Sequence, residues 1–400
     1  MVVAAAAPKL SLQCETIAGD TSTIRSLDWD RSRFDIEFGL RNGTTYNAFL
    51  VQGERTALID TSHAKFRDTW IPLLKEQIQP TAIDVLIVSH TEPDHSGLIG
   101  DLIDLNPDIE IVGSKVALQF LQDQVHRPFK SRAVKSGEEL DLGTNPDSGI
   151  QHRFEFLSAP NLHWPDTIFS FDHGTGILYT CDAFGLHYCS DDVFDSDPGA
   201  IAPDFRFYYD CLMGPNARSV LQALKRMDGL PEINTIAVGH GPLLRHHLNH
   251  WVNDYREWSG QRSKGESYAA VCYLSQYGFS DRISQAIAHG IGKAEAQVQL
   301  VDLRATDPQE LTALIGDAKA VVGRTWPAEP DGELQTSIGT LLAALHPKRA
   351  GGVCEACGAG RGRRRAKGDA VAAMRGLDGD LDKALGRISG GLYVVTASQG

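Results

Sequence analysis

Apolar residues gather along this chain in short runs separated by polar or glycine-rich turns. Between about residues 30 and 250 the runs at 45–51, 56–59, 85–88, 109–112, 154–157, 177–179 and 236–238 are rich in β-branched and aromatic residues and read as strands. Apolar positions at helical spacing lie between them, over 66–79 and 218–227. Strands and helices interleaved in this way predict a mixed sheet covered by helices. The polar stretch 253–266 reads as a linking helix or hinge.

A second pattern starts at Tyr268. The strand-like run 270–274 meets a turn at 275–280, and a helix follows over 282–291. The run VQLVDL (298–303), a helix near 308–315 and AVVG (320–323) continue it. That βαβαβ order predicts a parallel, doubly wound sheet. The pattern fails near residue 345, and 349–367 (RAGGVCEACGAGRGRRRAK) is too rich in Gly and Arg to bury a core, so it reads as loop or disorder. A short amphipathic stretch, 381–395, closes the chain.

Composition narrows the class. Four hundred residues suffice for two to three domains at ~150 residues each. Apolar residues at 42% and charged residues at 22% exclude a disordered chain. No apolar run approaches the ~18 residues needed to span a bilayer, so no membrane span is expected. Lys and Arg number 38 against 51 Asp and Glu, a net charge of −13 that would repel nucleic-acid phosphates. The seven cysteines are odd in number and scattered, which suits free thiols in a reducing compartment. The opening MVVAAAAPKL lacks the basic region of a secretory signal and the Ser/Arg richness of a plastid transit peptide.

The chemistry concentrates behind DVLIVS (84–89). There the chain reads His90-Thr-Glu92-Pro-Asp94-His95-Ser-Gly97, four potential metal ligands within six residues at a strand end. Buried together, such a cluster would be unstable without a cation; exposed, it would be a solvated turn. Three more candidates follow other strands: His163 in APNLHWPDT, Asp182 in LYTCDAFG and His240 in AVGHGPLL. His187 lies five residues past Asp182, near the pocket or structural. His63 is a candidate to support the site, whereas His246, His247 and His250 fit a solvated or capping helix face. Trp164 and Tyr208–Tyr209 read as packing around the site.

This arrangement resembles the metallo-β-lactamase superfamily, whose signature is His-x-His-x-Asp-His followed by later His, Asp and His ligands. The chain departs from it at Glu92, where hydrolases carry the second His. Neutral imidazoles suit Lewis-acidic zinc. A carboxylate at that position adds negative charge and favours iron. With Glu92 in place, the site is similar to that of the flavodiiron proteins. The resemblance implies that His90, Glu92 and His163 hold one iron, that Asp94, His95 and His240 hold the other, and that Asp182 bridges the two non-haem irons. It further implies reduction of O2, or of NO, with electrons relayed through FMN.

The flavin would sit on the second pattern. Ser275, Gln276, Tyr277, Gly278, Phe279 and Ser280 join a strand to a helix, and backbone N–H groups there would cradle a phosphate. The loop could equally be a plain helix cap. It resembles the phosphate loop of flavodoxins, with a further flavin loop expected around Gly323, Arg324 and Thr325. Cys354 and Cys357 form a lone C-x-x-C pair, which cannot by itself close a tetrahedral zinc site. Arg361 and Arg363 to Arg365 read as a solvated tail.

The last twenty residues, LDKALGRISGGLYVVTASQG, resemble the opening of a flavin-reductase module, the mark of the flavodiiron class of cyanobacteria and plastids. The expected organisation is therefore α/β throughout. A metallo-β-lactamase-like αββα diiron domain spans 22–255, and a partial flavodoxin-like, doubly wound FMN domain spans 267–350. An irregular segment follows at 351–379, and the start of a reductase module at 380–400. The chain is expected to be a truncated form of that class. The resemblance also implies a head-to-tail homodimer or a heterodimer with a paralogue, and electrons from NAD(P)H or ferredoxin through the absent module. Its expected setting is the chloroplast stroma in an alga or the cytoplasm in a cyanobacterium, protecting photosynthetic electron transport. The rivals are a zinc metallo-hydrolase of thioesters or lactones and a non-catalytic truncated subunit.

Overall fold

The apolar run before the ligand cluster becomes a strand buried on both faces. Val85 to Val88 are all fully buried, with Val85 and Ile87 in one hydrophobic core and Leu86 and Val88 in another. A strand buried on both faces belongs in the interior of a covered sheet. The computed structural model describes residues 9–34, 38–263, 268–273, 284–285, 287–288, 291, 297–303, 306, 311, 314, 318, 320–324 and 392–396. They divide into two units, one formed by residues up to 214 with 219–258, the other by 215–218 with the chain from 259 onward.

The first unit begins with Leu10–Ala18 (β1) and Thr21–Asp28 (β2), followed by a small ribbon of Arg33–Phe34 (β3) and Phe38–Gly39 (β4). Thr44–Gln52 (β5), Thr56–Ile59 (β6), Val85–Val88 (β7), Glu110–Gly113 (β8) and Lys130–Ala133 (β9) complete a seven-stranded sheet in the order β1-β2-β5-β6-β7-β8-β9. Its first half is antiparallel, while β6 to β9 are parallel. A second sheet holds Glu139–Thr144 (β10), Gln151–Ser158 (β11), Ile168–Asp172 (β12), Ile177–Cys181 (β13) and Thr235–Val238 (β14), with only β13 and β14 parallel.

One core lies between the sheets, and the period of two sorts each strand's residues between layers. On β5, Phe49 and Val51 enter the core shared with the second sheet, and Tyr46 and Ala48 face the other way. There Arg67–Gln77 (α1) buries Trp70 and Leu74, and Ile99–Leu105 (α3) and Lys115–Val125 (α4) pack beside it. The four-residue Pro93–Ser96 (α2) lies at the end of β7. Pro198–Tyr208 (α5), Ala217–Met227 (α6) and Leu248–Ser263 (α7) contribute side chains to the core shared with the second sheet. The result is an αββα sandwich. Burying each of Leu86 and Ile87 contributes about 1.5–3 kcal/mol. Ile87→Ala would cost about 2–5 kcal/mol directly beneath the ligand loop.

Several elements differ from the sequence reading. Of the stretch 253–266, read as a linking helix or hinge, the described part is helical: it belongs to Leu248–Ser263, which also buries Trp251 and Tyr255 in the core. His246 and His247 precede that helix, and their backbone N–H groups donate to Asp195, as does the indole of Trp251.

In the second unit, Tyr268–Tyr273 (β15), Gln297–Asp302 (β16) and Ala320–Arg324 (β17) pair in parallel in the order β16-β15-β17. Strand β15 alternates cleanly. Tyr268, Ala270 and Cys272 enter one buried cluster; Ala269, Val271 and Tyr273 enter another. Leu311 and Leu314 join the first cluster, and Ile287, Ala288 and Ile291 join the second, so side chains cover both faces as a doubly wound sheet requires. Leu392–Thr396 (β18) pairs antiparallel with β17 in this same sheet, although the sequence suggested the opening of a further module. Gly323 and Arg324, assigned to a flavin loop, form the end of β17 opposite Tyr393 and Leu392, where the AVVG run, read as a strand, continues by one residue. Among the described residues, no helix is long and apolar enough to cross a membrane.

Candidate metal centre

All seven ligand candidates of the first unit come together, each at or just beyond a strand end. Beyond β7 the backbone stays extended at Glu92 (φ −60°, ψ 139°), so His90 and Glu92 fall on one side at a spacing of two. Pro93 then starts α2, where its missing N–H is no loss, and the helical turn redirects Asp94 and His95. The backbone and hydroxyl of Thr61 both donate to the His95 carbonyl, at 2.7 and 2.6 Å, and tie this turn down. His163 follows β11, Asp182 follows β13 and His240 follows β14.

The side chains sort into two groups around one carboxylate. His90, Glu92, His163 and Asp182 present ligand atoms within 4.8 Å of one another, and Asp94, His95 and His240 do likewise. Asp182 Oδ2 lies 3.3 Å from the Nε2 atoms of both His90 and His163. Its Oδ1 lies 3.1 Å from His95 Nε2 and 3.3 Å from His240 Nε2. Glu92 Oε2 closes the first group at 3.0 Å from His163 and 3.3 Å from His90. Asp94 Oδ2 closes the second at 3.3 Å from His240 Nε2. Asp182 therefore turns one oxygen to each group. Cys181 also lies near His95 and Asp182.

Burial and charge explain what such a cluster requires. Burial alone would discharge the imidazoles, but Asp182 and Glu92 outweigh it and hold His163 up to about 9. In the same way Asp182 and Asp94 outweigh burial at His240 and raise it to about 10. Burial also opposes charge on Asp182, yet His95, His163 and His240 hold its carboxyl well below the usual range. The pocket thus demands positive charge. Asp182 Oδ2, Asp94 Oδ1 and His240 Nε2 are buried without a hydrogen-bond partner and are left unsatisfied by protein alone. Imidazole nitrogens and carboxylate oxygens in two groups of three with a shared carboxylate fit a pair of divalent or trivalent metal ions.

Groups not read as ligands hold this arrangement. Asp166, fully buried, accepts from His90 Nδ1 at 3.0 Å, from the Thr91 N–H at 2.8 Å and from the Thr91 hydroxyl at 2.6 Å. His240 Nδ1 donates to the Thr45 carbonyl at 2.6 Å. Tyr208, read as packing, donates its hydroxyl to Asp182 Oδ1 at 3.0 Å. Gly239 is required by proximity: a Cβ there would sit 2.7 Å from His95 Cε1. The place of Asp166 within the HWPDT phrase, three residues after His163, was the one available sequence signal.

The remaining histidines separate. His187 is buried against His240 (ring centroids 4.8 Å apart), with Nδ1 2.8 Å from Thr44 Oγ1 and its pKa pushed well down by burial and His240. His63 accepts from the Lys65 N–H at a helix start, and its ring lies tilted 5.8 Å from that of Tyr46. His250 is exposed and lies 3.8 Å from Asp254. Ser275, Gln276, Tyr277, Gly278, Phe279, Ser280 and Thr325, assigned to FMN, lie outside the described residues, as do Cys354 and Cys357; β15 ends at Tyr273, directly before the loop.

Comparison with known proteins adds relatives to this geometry. A family profile described as the ODP family β-lactamase matches residues 44–241, which contain all seven candidates. Diflavin flavoprotein A 1 of Synechocystis sp. is 49% identical over 98% of this chain and 75% of its own length. The metal-soaked flavodiiron core of Flv1 from Synechocystis sp. superposes with a TM-score of 0.71 at 31% identity, covering 84% of this chain and 83% of its own. The rubredoxin:oxygen oxidoreductase of Desulfovibrio gigas shares the fold, with a TM-score of 0.58 at 23% identity over 85% and 84% of the two chains.

Proposed function

The chain belongs to the flavodiiron family, as a diflavin flavoprotein A relative and an oxidoreductase, and from that premise we propose that it reduces O2 to water at a dinuclear iron centre. In this reading His90, Glu92 and His163 hold one iron, Asp94, His95 and His240 the other, and Asp182 bridges. The family's cofactors are non-haem diiron and FMN. The observation that carries the assignment of ligands is Asp182, with one oxygen turned to each three-residue group. Glu92 in place of an imidazole favours iron over the zinc of hydrolases.

When bound, the irons supply electrons to a diatomic substrate, and FMN replenishes them. The residues of this chain do the rest. Glu92, Asp94 and Asp182 balance the added positive charge in a pocket that burial would otherwise make hostile to it. Trp164 packs edge-on against His90 at 4.9 Å, and Tyr46 and Tyr208 flank His240 at 5.5 and 6.2 Å, forming an aromatic wall against bulk water. Tyr208 holds a proton at its hydroxyl, which it donates to Asp182 Oδ1 at 3.0 Å.

The finer terms of the proposal are O2 rather than NO as substrate, electrons from NAD(P)H or ferredoxin, and a head-to-tail dimer that brings one chain's flavin to its partner's irons. A photoprotective role in a plastid stroma or a cyanobacterial cytoplasm completes it. The test is stoichiometric: the iron-loaded, reduced protein is mixed anaerobically with measured O2. Four electrons consumed per O2 with no peroxide supports the reading. Peroxide release, or zinc with thioester hydrolysis, refutes it.

A further inference from the structure

The two three-residue groups are built alike in their ligand atoms but not in what stands behind them. In the first, His90 turns Nε2 toward Glu92 and Asp182 and gives its Nδ1 proton to Asp166 Oδ1 at 3.0 Å. Asp166 is fully buried, and its other oxygen is fixed by the Thr91 N–H at 2.8 Å and the Thr91 hydroxyl at 2.6 Å. The Ser114 hydroxyl, which also caps α4, donates to the Asp166 backbone carbonyl at 2.7 Å. The carboxylate thus has one fixed pose. In the second group, His240 Nδ1 donates to a neutral carbonyl, that of Thr45, and His95 Nδ1 is buried without a hydrogen-bond partner.

A carboxylate behind a ligating imidazole fixes its tautomer and makes it a stronger donor than a neutral carbonyl can. A stronger donor favours the higher oxidation state of the ion it binds. We propose that Asp166 is a positioning residue that makes the two halves of the centre electronically unequal. Acting through His90, it stabilises the ferric state of the ion held by His90, Glu92 and His163 above that of its neighbour. The inference rests on the diiron reading above and deepens it. The asymmetry separates the two one-electron steps, so the centre accepts and gives its electrons in a fixed order.

Thr91 provides the control. Its hydroxyl donates to Asp166 and so draws density away from the carboxylate. Removing that bond leaves a more basic Asp166, which pulls harder on the His90 proton. Asp166→Asn and Thr91→Val should therefore act in opposite directions on the same ion, a result that a purely structural role does not produce.

The experiment is a stepwise redox titration of the full iron-loaded chain, followed by Mössbauer spectroscopy. Asp166→Asn is expected to weaken the ferric preference of one ion about tenfold, which is about 59 mV for one electron, while the other ion stays unmoved. Thr91→Val is expected to shift that same ion the other way by a smaller factor. If Asp166→Asn does not fold, Thr91→Val alone decides. The proposal is overturned if both ions move together, or if neither variant moves one of them. A wild-type chain that binds no iron pair contradicts the functional reading instead. Two bound irons with unshifted potentials contradict only the role of Asp166.

Discussion

The halves of the metal centre share a carboxylate but draw their surroundings from different chemistry. The half of His90, Glu92 and His163 is backed by the charge of Asp166. The half of Asp94, His95 and His240 is backed by the Thr45 carbonyl and by closeness of packing, with Gly239 directly against His95 and Tyr46 beside His240. A buried carboxylate backs the first half, and a neutral carbonyl and close packing back the second. The difference teaches that equal ligand lists need not make equal sites, because a metal responds to what its ligands are bonded to.

Asp182→Ala would abolish the comparison, since it removes the one group both halves use. The expected outcome is loss of iron from both, read by metal analysis on protein purified without oxygen, with the fold retained by circular dichroism. Gly239→Ala sharpens it from the second side. The new Cβ would meet His95 Cε1 at 2.7 Å and cost about 1–3 kcal/mol of stability. Iron content should fall toward one per chain, and the surviving spectroscopic signal should be that of the first half.

Glu92→His probes the first half with a smaller change. An imidazole there restores the donor type that zinc hydrolases use, so zinc should gain on iron by about tenfold in a competition assay, in that half only. His152→Gln should touch neither half. His152 is buried between Asp172 at 2.8 Å and Asp20 at 2.7 Å; burial opposes its charge, but both carboxylates outweigh it and raise its pKa. A raised folded pKa gives stability that is fully present below the unfolded value of about 6.5 and is lost as pH rises through the folded one. The variant should therefore be about 1.5–3 kcal/mol less stable than wild type at pH 6 by denaturant melts, the gap closing at higher pH. Its iron content should be unchanged.

The seven ligand candidates were legible because each follows an apolar strand and belongs to a residue type with few other uses there. Their supports were not. Asp166 lies 76 positions from His90, and Thr45 195 positions from His240, so only the fold brings them together. Strands β1 and β2 were silent for a different reason. Strand β2 buries Thr21, Thr23, Arg25, Ser26 and Asp28, so polar side chains occupy positions where a hydrophobic pattern would have marked a strand. In the second unit the strand runs were plain, but the end of β17 was not. Gly323 and Arg324 look like loop residues, yet Gly323 pairs with both Cys272 of β15 and Tyr393 of β18, and Arg324 pairs with Leu392 of β18.

The most direct test of the central claim is iron content with oxidation-state spectroscopy on the anaerobically purified protein. Two irons per chain in two distinguishable environments, both lost in Asp182→Ala, are predicted. One metal ion, or a zinc pair untouched by that substitution, would contradict it.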